Sequence, residues 1–230
     1  MRKTSKRREK ILKKYRAPRW GMVLLAVGVL CMGLVAGGIF FYQRGQEPGR
    51  PSEDPSQPVS IAGEPVVRPW QAAAYINRHN PSPRLNCSVE DLVGYYYAEG
   101  LDEGIRPDLA LCQAIKETGC FAYGKDVLPE QNNYCGLGAT GNGVHGNSFS
   151  SPREGVRAHI QHLKAYVSTE KPVKAIVDPR YALLKEKHPE IFGRLHSWTD
   201  LNGKWAVPGT TYGEDILHIW KEMQQISPTL

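Results

Sequence analysis

The sequence has little positive charge outside its first 19 residues. That segment holds ten Lys or Arg and one Glu, whereas the other 211 residues carry 19 Lys or Arg against 22 Asp or Glu. A nucleic-acid-binding domain needs a basic face to offset phosphate charge. The composition therefore argues against a nucleic-acid partner for the body of the chain.

The sequence also lacks a run of alternating β–α–β units. Residues 135–143, CGLGATGNG, match the spacing Gly136-x-Gly138-x-x-Gly141 of a dinucleotide-binding loop. Such a loop needs a strand before its first glycine and a helix at its last. The preceding LPEQNNYC is too polar for a buried parallel strand, and the following NGVHGNSFSS cannot start a helix. We therefore expect no nucleotide and no other cofactor.

No charged residue interrupts residues 20–42. This length suits a bilayer core of about 30 Å, and aromatic residues stand at both ends, as is typical of membrane interfaces. The basic segment before it predicts a cytoplasmic tail, residues 1–19, and an extracytoplasmic chain after residue 42. Cleavage as a signal peptide is the alternative, although the run is long for one and lacks an A-x-A-like site.

Residues 43–68 are rich in Pro, Ser, Gly and charge, which predicts an extended linker. The remaining residues, 69–230, are expected to form one mainly helical domain with a long irregular or small β middle segment. Capping residues and apolar spacing predict helices within 69–80, 88–104, 106–119, 151–168, 178–188 and 210–226.

The sequence has no C-x-x-C or H-x-x-C motif, which disfavours a zinc site. Outside the apolar run it has an even number of cysteines, and in an oxidising compartment disulfides are the default. Three pairings are open to the four, which are Cys87, Cys112, Cys120 and Cys135. Three histidines have no ligand-like third partner and are interpreted as surface residues: His145, His159 and His162.

Glu117 is the first candidate for catalysis. It stands near the end of an apolar helix and precedes a loop rich in Gly and Asn. The negative end of the helix dipole and partial burial both disfavour its ionised form. A carboxyl group that stays protonated near neutral pH can serve as a general acid, whereas the alternative is a solvated residue at a helix end.

Residues 110–141 resemble the glucosaminidase family of bacterial peptidoglycan hydrolases, which has a lysozyme-like fold. The resemblance rests on Glu117-Thr118-Gly119, Tyr123-Gly124-Lys125 and Asn132-Asn133-Tyr134-Cys135-Gly136-Leu137. It continues through SFSSPREGVRAHIQHL and WAVPGTTYGEDIL and covers most of residues 69–230. It implies an α+β lysozyme-like domain that cleaves the β-1,4 bond after N-acetylglucosamine.

The resemblance also assigns roles to residues. Glu117 becomes the general acid, and Tyr212 matches a late tyrosine that lines the site. The implied sugar-binding residues are Asn132, Asn133, Tyr134, Gly136, Tyr123 and Trp205, although core packing is an alternative for each aromatic residue.

Glu154 falls where the family often has its second acid. Because Ser151-x-x-Glu154 is also a capping box, helix capping is an equal alternative. In that case the acetamido oxygen of the substrate could attack the anomeric carbon. Asp126 and Glu130 are further loop acids.

The cysteines depart from the family, which generally has none here. A Cys120–Cys135 bridge would hold Glu117 against the Asn-rich loop and leave Cys87 to pair with Cys112. The sequence thus predicts a single-pass bacterial membrane protein whose outer domain acts on peptidoglycan glycan strands. A muramidase, a lytic transglycosylase and a non-catalytic wall-binding module remain the alternatives.

Overall fold

The computed structural model describes residues 57–124, 126–140 and 143–228. Within these ranges lie six α-helices: α1 (Pro69–His79), α2 (Val89–Glu103), α3 (Pro107–Thr118), α4 (Pro152–Val167), α5 (Tyr181–Lys187) and α6 (Tyr212–Gln224). Short 3-10 helices cover Pro129–Gln131 and Trp198–Leu201. The mainly helical prediction is confirmed, and each predicted helix is present.

The predicted small β portion is reduced to isolated bridges in the described part of the chain. No bridge extends into a ladder there, and the segment between α3 and α4 is irregular apart from one 3-10 turn. The bridged pairs are Ser60 with Ser197, Ala62 with Ile105, and Asn202 with Ala206.

Local sequence signals set the helix ends. The side chains of Ser88 and Ser151 each accept a hydrogen bond from the backbone N–H three residues later, so α2 and α4 begin where capping predicts. Gly104 and Gly119 end α2 and α3 with φ of 69° and 59°. This left-handed conformation disfavours residues with a Cβ atom.

Helix α3 occupies the centre of the domain. It packs against α2 on one side and α6 on another, while α2 also packs against α1 and α4. Every residue from Pro107 to Ile115 is buried. The last turn of α3, which holds Glu117, emerges at the edge of this core.

The described end of the predicted linker, residues 57–68, packs onto the helical domain. Ile61 is completely buried, and the N–H groups of Val66 and Val67 donate to Asp108 at 2.9 and 3.1 Å. The same carboxylate accepts a hydrogen bond from the Trp220 indole at 2.8 Å. The linker was therefore predicted too long, because its few apolar residues reach the core and its backbone satisfies a buried carboxylate.

Gly155 brings the first turn of α4 against the irregular segment. A Cβ atom on Gly155 would lie 1.8 Å from the backbone oxygen of Asn132. Only a glycine permits this approach, so α4 forms a rigid support for the Asn-rich loop.

The four cysteines predicted to form disulfides are free thiols in the structure. Cys112 is buried with its Sγ 3.7 Å from the Sδ of Met223, and Cys135 is buried against Leu137 and Ala158. Cys87 and Cys120 are half-buried against the main core. The predicted Cys120–Cys135 and Cys87–Cys112 bridges are therefore not formed, because these side chains fill positions in the core.

No helix of the described residues is long and apolar enough to span a membrane. The predicted span, residues 20–42, and the tail before it lie outside the described ranges.

Glu99 on α2 is surrounded by three cations. Its side chain is 1 % exposed and lies 2.7 Å from Arg153, 3.0 Å from Arg157 and 2.9 Å from Lys174. Burial raises the pKa of the Glu99 carboxyl, but hydrogen bonds from Arg157, Lys174 and Arg153 outweigh it and lower the pKa to about 2. The cluster therefore joins α2 to α4 and to the segment after it.

We predict that Glu99→Gln lowers the free energy of unfolding by about 1–3 kcal/mol at pH 7, because it removes the charged acceptor of four hydrogen bonds from three cations. The native pKa of Glu99 lies below its unfolded value of about 4.3. Its contribution is therefore complete above that pH and is lost as the pH falls towards about 2. Urea denaturation of both proteins at pH 7 and pH 3 measures the difference, which should shrink at the lower pH.

Glu186→Gln is the control, since Glu186 is exposed on α5 and should change stability by about 0.5 kcal/mol or less. A difference between wild type and Glu99→Gln that stays constant from pH 7 to pH 3 would contradict the proposed charge interaction.

Candidate active site

Glu117 and Tyr212 form a pair that joins two helices. Glu117 lies in the last turn of α3 and is half-buried, and its Oε1 accepts a hydrogen bond from the Tyr212 hydroxyl. Tyr212 is the first residue of α6 and is buried. The structure thus brings together two of the three residues predicted to be catalytic.

A cavity of about 370 Å³ opens beside Glu117. One wall is the end of α3, and the opposite wall comes from the irregular segment and from Trp205. Its lining residues are Lys116, Glu117, Thr118, Gly119, Tyr123, Asp126, Val127, Cys135, Gly136, Ala139, Trp205 and Ala206.

A second cavity of about 450 Å³ shares part of this wall. Cys135, Gly136, Ala139 and Trp205 line both cavities, so the two adjoin each other, and together they are called the groove here. The far half contains Arg180, Lys204, His188 and Glu190 together with the aromatic ring of Tyr166.

Trp205 lies between the two halves of the groove. Its ring is nearly parallel to that of Tyr212, with centroids 6.4 Å apart and an interplanar angle of 14°. It also contacts the rings of His162 and Tyr166 at centroid distances of 5.2 and 5.6 Å. Trp205 is half-buried, so one part of it packs and another part is open to a ligand. Trp205 therefore lines the groove, and its predicted contact with sugar stays a prediction.

Gly136 and Tyr123, which the sequence predicts to bind sugar, also line the groove. Gly136 has a φ of 71°, and a Cβ atom there would meet nothing within 4 Å. Backbone conformation, rather than space, therefore favours glycine at this position. Lys125 and Gly141, which belong to the sequence patterns discussed above, lie outside the described ranges.

Asn132 and Asn133 are buried and hold the loop from inside. The Asn133 amide donates to the backbone oxygens of Leu137 and Asn147 at 2.9 and 3.0 Å, and its oxygen accepts from the N–H of Leu137. The Asn132 amide donates to the oxygen of Phe149 at 3.0 Å. These asparagines shape the wall of the groove, and the prediction that they contact sugar is corrected to a supporting role.

Tyr134 is likewise placed in the core. It is 1 % exposed, and its ring makes edge contacts with Tyr96 and Phe121 at 6.4 and 6.2 Å. The predicted sugar contact is therefore replaced by aromatic packing, the alternative that the sequence left open.

Glu154 caps α4. One of its carboxylate oxygens accepts hydrogen bonds from the hydroxyl and the backbone N–H of Ser150, the latter at 2.7 Å. These two hydrogen bonds lower the pKa of Glu154. Glu154 lines neither half of the groove, whereas Asp126 lies in the half that contains Glu117. The Oδ1 of Asp126 accepts from the N–H of Gly143 at 3.0 Å.

Two of the three histidines predicted to lie at the surface are buried. His159 is completely buried on α4, and the Nδ1 of His162 lies 2.8 Å from the Asp178 carboxylate. Only His145 is exposed, as predicted. The prediction failed for His159 and His162 because both point from α4 towards polar partners in the core. No cluster of His, Cys, Asp or Glu within the described ranges could hold a metal ion.

Gln113 is a functional candidate that sequence reasoning missed. It is completely buried one turn before Glu117, and its Nε2 donates to the Tyr212 hydroxyl at 2.8 Å. A polar residue inside the apolar run LALCQAI was the available signal, since a buried amide requires partners.

The described geometry can be compared with known proteins. The Glucosaminidase family, described as mannosyl-glycoprotein endo-beta-N-acetylglucosaminidase, matches residues 93–225. An uncharacterized protein of Borreliella burgdorferi is 45% identical over 118 residues, which cover 51% of this chain and 55% of the relative. The chain thus spans about half the length of that relative. No solved structure matches the chain.

The matched residues include the end of α3, the irregular segment, α4 and the start of α6. Glu117, Tyr212 and the residues that line the groove all lie inside the matched range. The chain therefore belongs to the Glucosaminidase family, a family of glycoside hydrolases.

Proposed function

We propose that the protein hydrolyses the β-1,4 glycosidic bond after N-acetylglucosamine in peptidoglycan. The family supports a peptidoglycan-type glycosidase. One structural observation carries the finer assignment: a half-buried carboxyl group lies in a groove and is held there by the hydroxyl of a second helix. Such a group is suited to proton transfer within a bound polymer.

Glu117 is the general acid in this proposal. Its proton passes to the glycosidic oxygen as the bond between that oxygen and the anomeric carbon breaks. Tyr212 donates to Oε1, so it fixes the orientation of the carboxyl group and stabilises the carboxylate that remains. Trp205 provides an aromatic surface for the sugar beside Glu117.

A group must attack the anomeric carbon as the glycosidic bond breaks. Glu154 is held by Ser150 outside the lining of the groove. We therefore propose that the acetamido oxygen of the substrate attacks in this first step and forms a cyclic intermediate. In the second step water attacks the anomeric carbon, gives its proton to the Glu117 carboxylate and opens the ring with retention of configuration. NMR of the product as it first forms tests this, because inversion at the anomeric carbon would exclude the acetamido route.

We also propose that residues 20–42 anchor the protein in the bacterial cell membrane with its catalytic domain outside. The uncharged run and the basic residues before it support this placement. Membrane fractionation and protease treatment of intact spheroplasts provide the test. A protected domain in intact spheroplasts, or a domain released without its N-terminal segment, would contradict the proposal.

We predict that Glu117→Gln in the full chain lowers kcat on purified peptidoglycan at least about 100-fold, because the amide has no acidic proton to deliver. Its similar size should leave wall binding and the unfolding transition nearly unchanged. Glu130→Gln is the matched control, since Glu130 is an exposed loop acid that lines neither half of the groove. Equal turnover by wild type and Glu117→Gln would exclude the proposed mechanism.

The products separate this cleavage from the alternatives. Mass spectrometry of the digested wall should find reducing N-acetylglucosamine ends. Reducing N-acetylmuramic ends would indicate a muramidase, and anhydro-muramic ends would indicate a lytic transglycosylase. Binding to peptidoglycan without any release of sugar would indicate a wall-binding module.

For Glu154→Gln we predict a kcat within about twofold of wild type and a loss of stability of about 0.5–1.5 kcal/mol, because a neutral amide oxygen replaces the charged acceptor of the two hydrogen bonds from Ser150. Turnover and thermal unfolding measured on the same preparation separate the two effects. A loss of kcat as large as that of Glu117→Gln would restore Glu154 to the catalytic role that the sequence suggested.

A further inference from the structure

A chain of hydrogen bonds runs through the core and ends at Glu117. Tyr96 OH lies 2.9 Å from Nδ1 of His159, and Nε2 of His159 lies 2.9 Å from Oε1 of Gln113. Nε2 of Gln113 donates to the Tyr212 hydroxyl at 2.8 Å, and that hydroxyl donates to Glu117. Four helices, α2, α4, α3 and α6, thus each contribute one member before the chain reaches the groove.

The hydrogen bonds of this chain all run in one donor-to-acceptor direction, from Tyr96 to Glu117. The amide nitrogen of Gln113 only donates and its oxygen only accepts, so Nε2 of His159 donates to that oxygen. Burial, and to a lesser extent the neighbouring His162, lowers the pKa of His159 to about 3, so its ring is neutral. A neutral ring has one N–H, and Nδ1 must then accept from the Tyr96 hydroxyl. Every proton of the chain therefore points towards Glu117.

The surroundings of His159 reinforce this assignment. Tyr96 from α2, Gln113 from α3 and His162 on its own helix face the ring, and the Trp205 ring lies 5.9 Å away. No carboxylate forms a hydrogen bond with His159 in the described structure. Tyr96, Gln113 and His159 are completely buried, and unpaired polar groups at such depth would be costly.

The direction of these hydrogen bonds determines which group donates between Tyr212 and Glu117. Because the Tyr212 oxygen accepts from Gln113, its single proton is directed to Oε1 of Glu117. Oε1 is then an acceptor, and the acidic proton of Glu117 lies on Oε2. When that proton leaves, the carboxylate is already hydrogen-bonded to a donor that the chain has aligned.

We propose that Gln113 and His159 are positioning residues, which hold the Tyr212 hydroxyl as a donor to Glu117 and direct the acid proton to Oε2. Tyr96 sets the direction of these hydrogen bonds by donating to Nδ1 of His159. This inference rests on the proposed function of Glu117 as general acid. Tyr96, Gln113 and His159 contact no substrate in this scheme, and the three act through the Glu117–Tyr212 pair.

Two substitutions at Gln113, each made in the full-length protein, test the role of its amide. Gln113→Leu removes both hydrogen bonds, and we expect kcat on peptidoglycan to fall about 10- to 100-fold with KM within about twofold, because the reacting group is displaced or turned. In Gln113→Glu the introduced carboxyl group can replace both contacts only while it is protonated. Its kcat should approach wild type at acidic pH and fall towards that of Gln113→Leu as the pH rises.

A packing role for Gln113 would give a different result. Both variants would then show the wild-type pH profile, reduced by a constant factor or not at all, and this outcome would overturn the proposal. Either variant that fails to fold is replaced by the milder change at Tyr96.

Tyr96→Phe keeps the ring and removes only the donor to His159. Tyr97→Phe is the matched control, since Tyr97 follows it on α2 and its buried hydroxyl donates to the backbone oxygen of Val67, outside the chain. We expect Tyr96→Phe to lower kcat severalfold and Tyr97→Phe to leave kcat unchanged at equal folded fraction. Equal kcat values for the two variants would overturn the proposal.

The tautomer of His159 provides a readout that needs no activity. NMR of the imidazole nitrogens should find the proton on Nε2 in the wild-type protein at neutral pH. A proton on Nδ1, or on both nitrogens, would overturn the positioning proposal while leaving Glu117 as the acid. Conversely, full activity of Glu117→Gln would overturn the proposed function even with the expected tautomer in place.

Discussion

The hydrogen bond between Tyr212 and Glu117 requires two helices to keep a fixed register. Glu117 ends the most buried helix of the domain, and Tyr212 begins the last one. The start of α6 is fixed in turn by Gly213, whose N–H donates to Asn202 at 2.7 Å and whose Cα lies so close to Trp198 that a Cβ would come within 2.3 Å of its backbone oxygen. The position of the Glu117 carboxyl group therefore depends on tight backbone packing far along the polypeptide.

The groove obtains its shape from amide side chains that do not face it. Gln131, Asn132 and Asn133 turn inwards and satisfy backbone oxygens of the irregular segment, including those of His145 and Phe149. Gly136 and Ala139 are left to line the opening. A loop with little regular secondary structure can be held firmly in this way, because its buried backbone groups have side-chain partners instead of a β-ladder.

Periodicity and capping residues predicted the helices because these signals are local, and Glu117 became the catalytic candidate because a helix end and its loop carry a specific pattern. The contacts between residues distant in the sequence were harder to predict. Apolar spacing on α4 did not reveal that His159 faces a glutamine 46 residues away. Likewise, Asn132 and Tyr134 match a site pattern, yet their side chains contribute through the core beneath the groove. The sequence predicted the segments that line the groove, and only packing showed which way each side chain turns.

Ionised groups and neutral hydrogen-bonding groups occupy different parts of this domain. The ion cluster around Glu99 joins helices near the surface, and its contribution depends on pH because one carboxyl must stay ionised. The chain behind Glu117 is built instead from phenol, imidazole and amide groups that remain neutral above about pH 3. The alignment of Tyr212 is therefore insensitive to pH from about pH 3 through the neutral range. In the proposed mechanism, Glu117 can thus lose and regain its proton without releasing the donor that orients it.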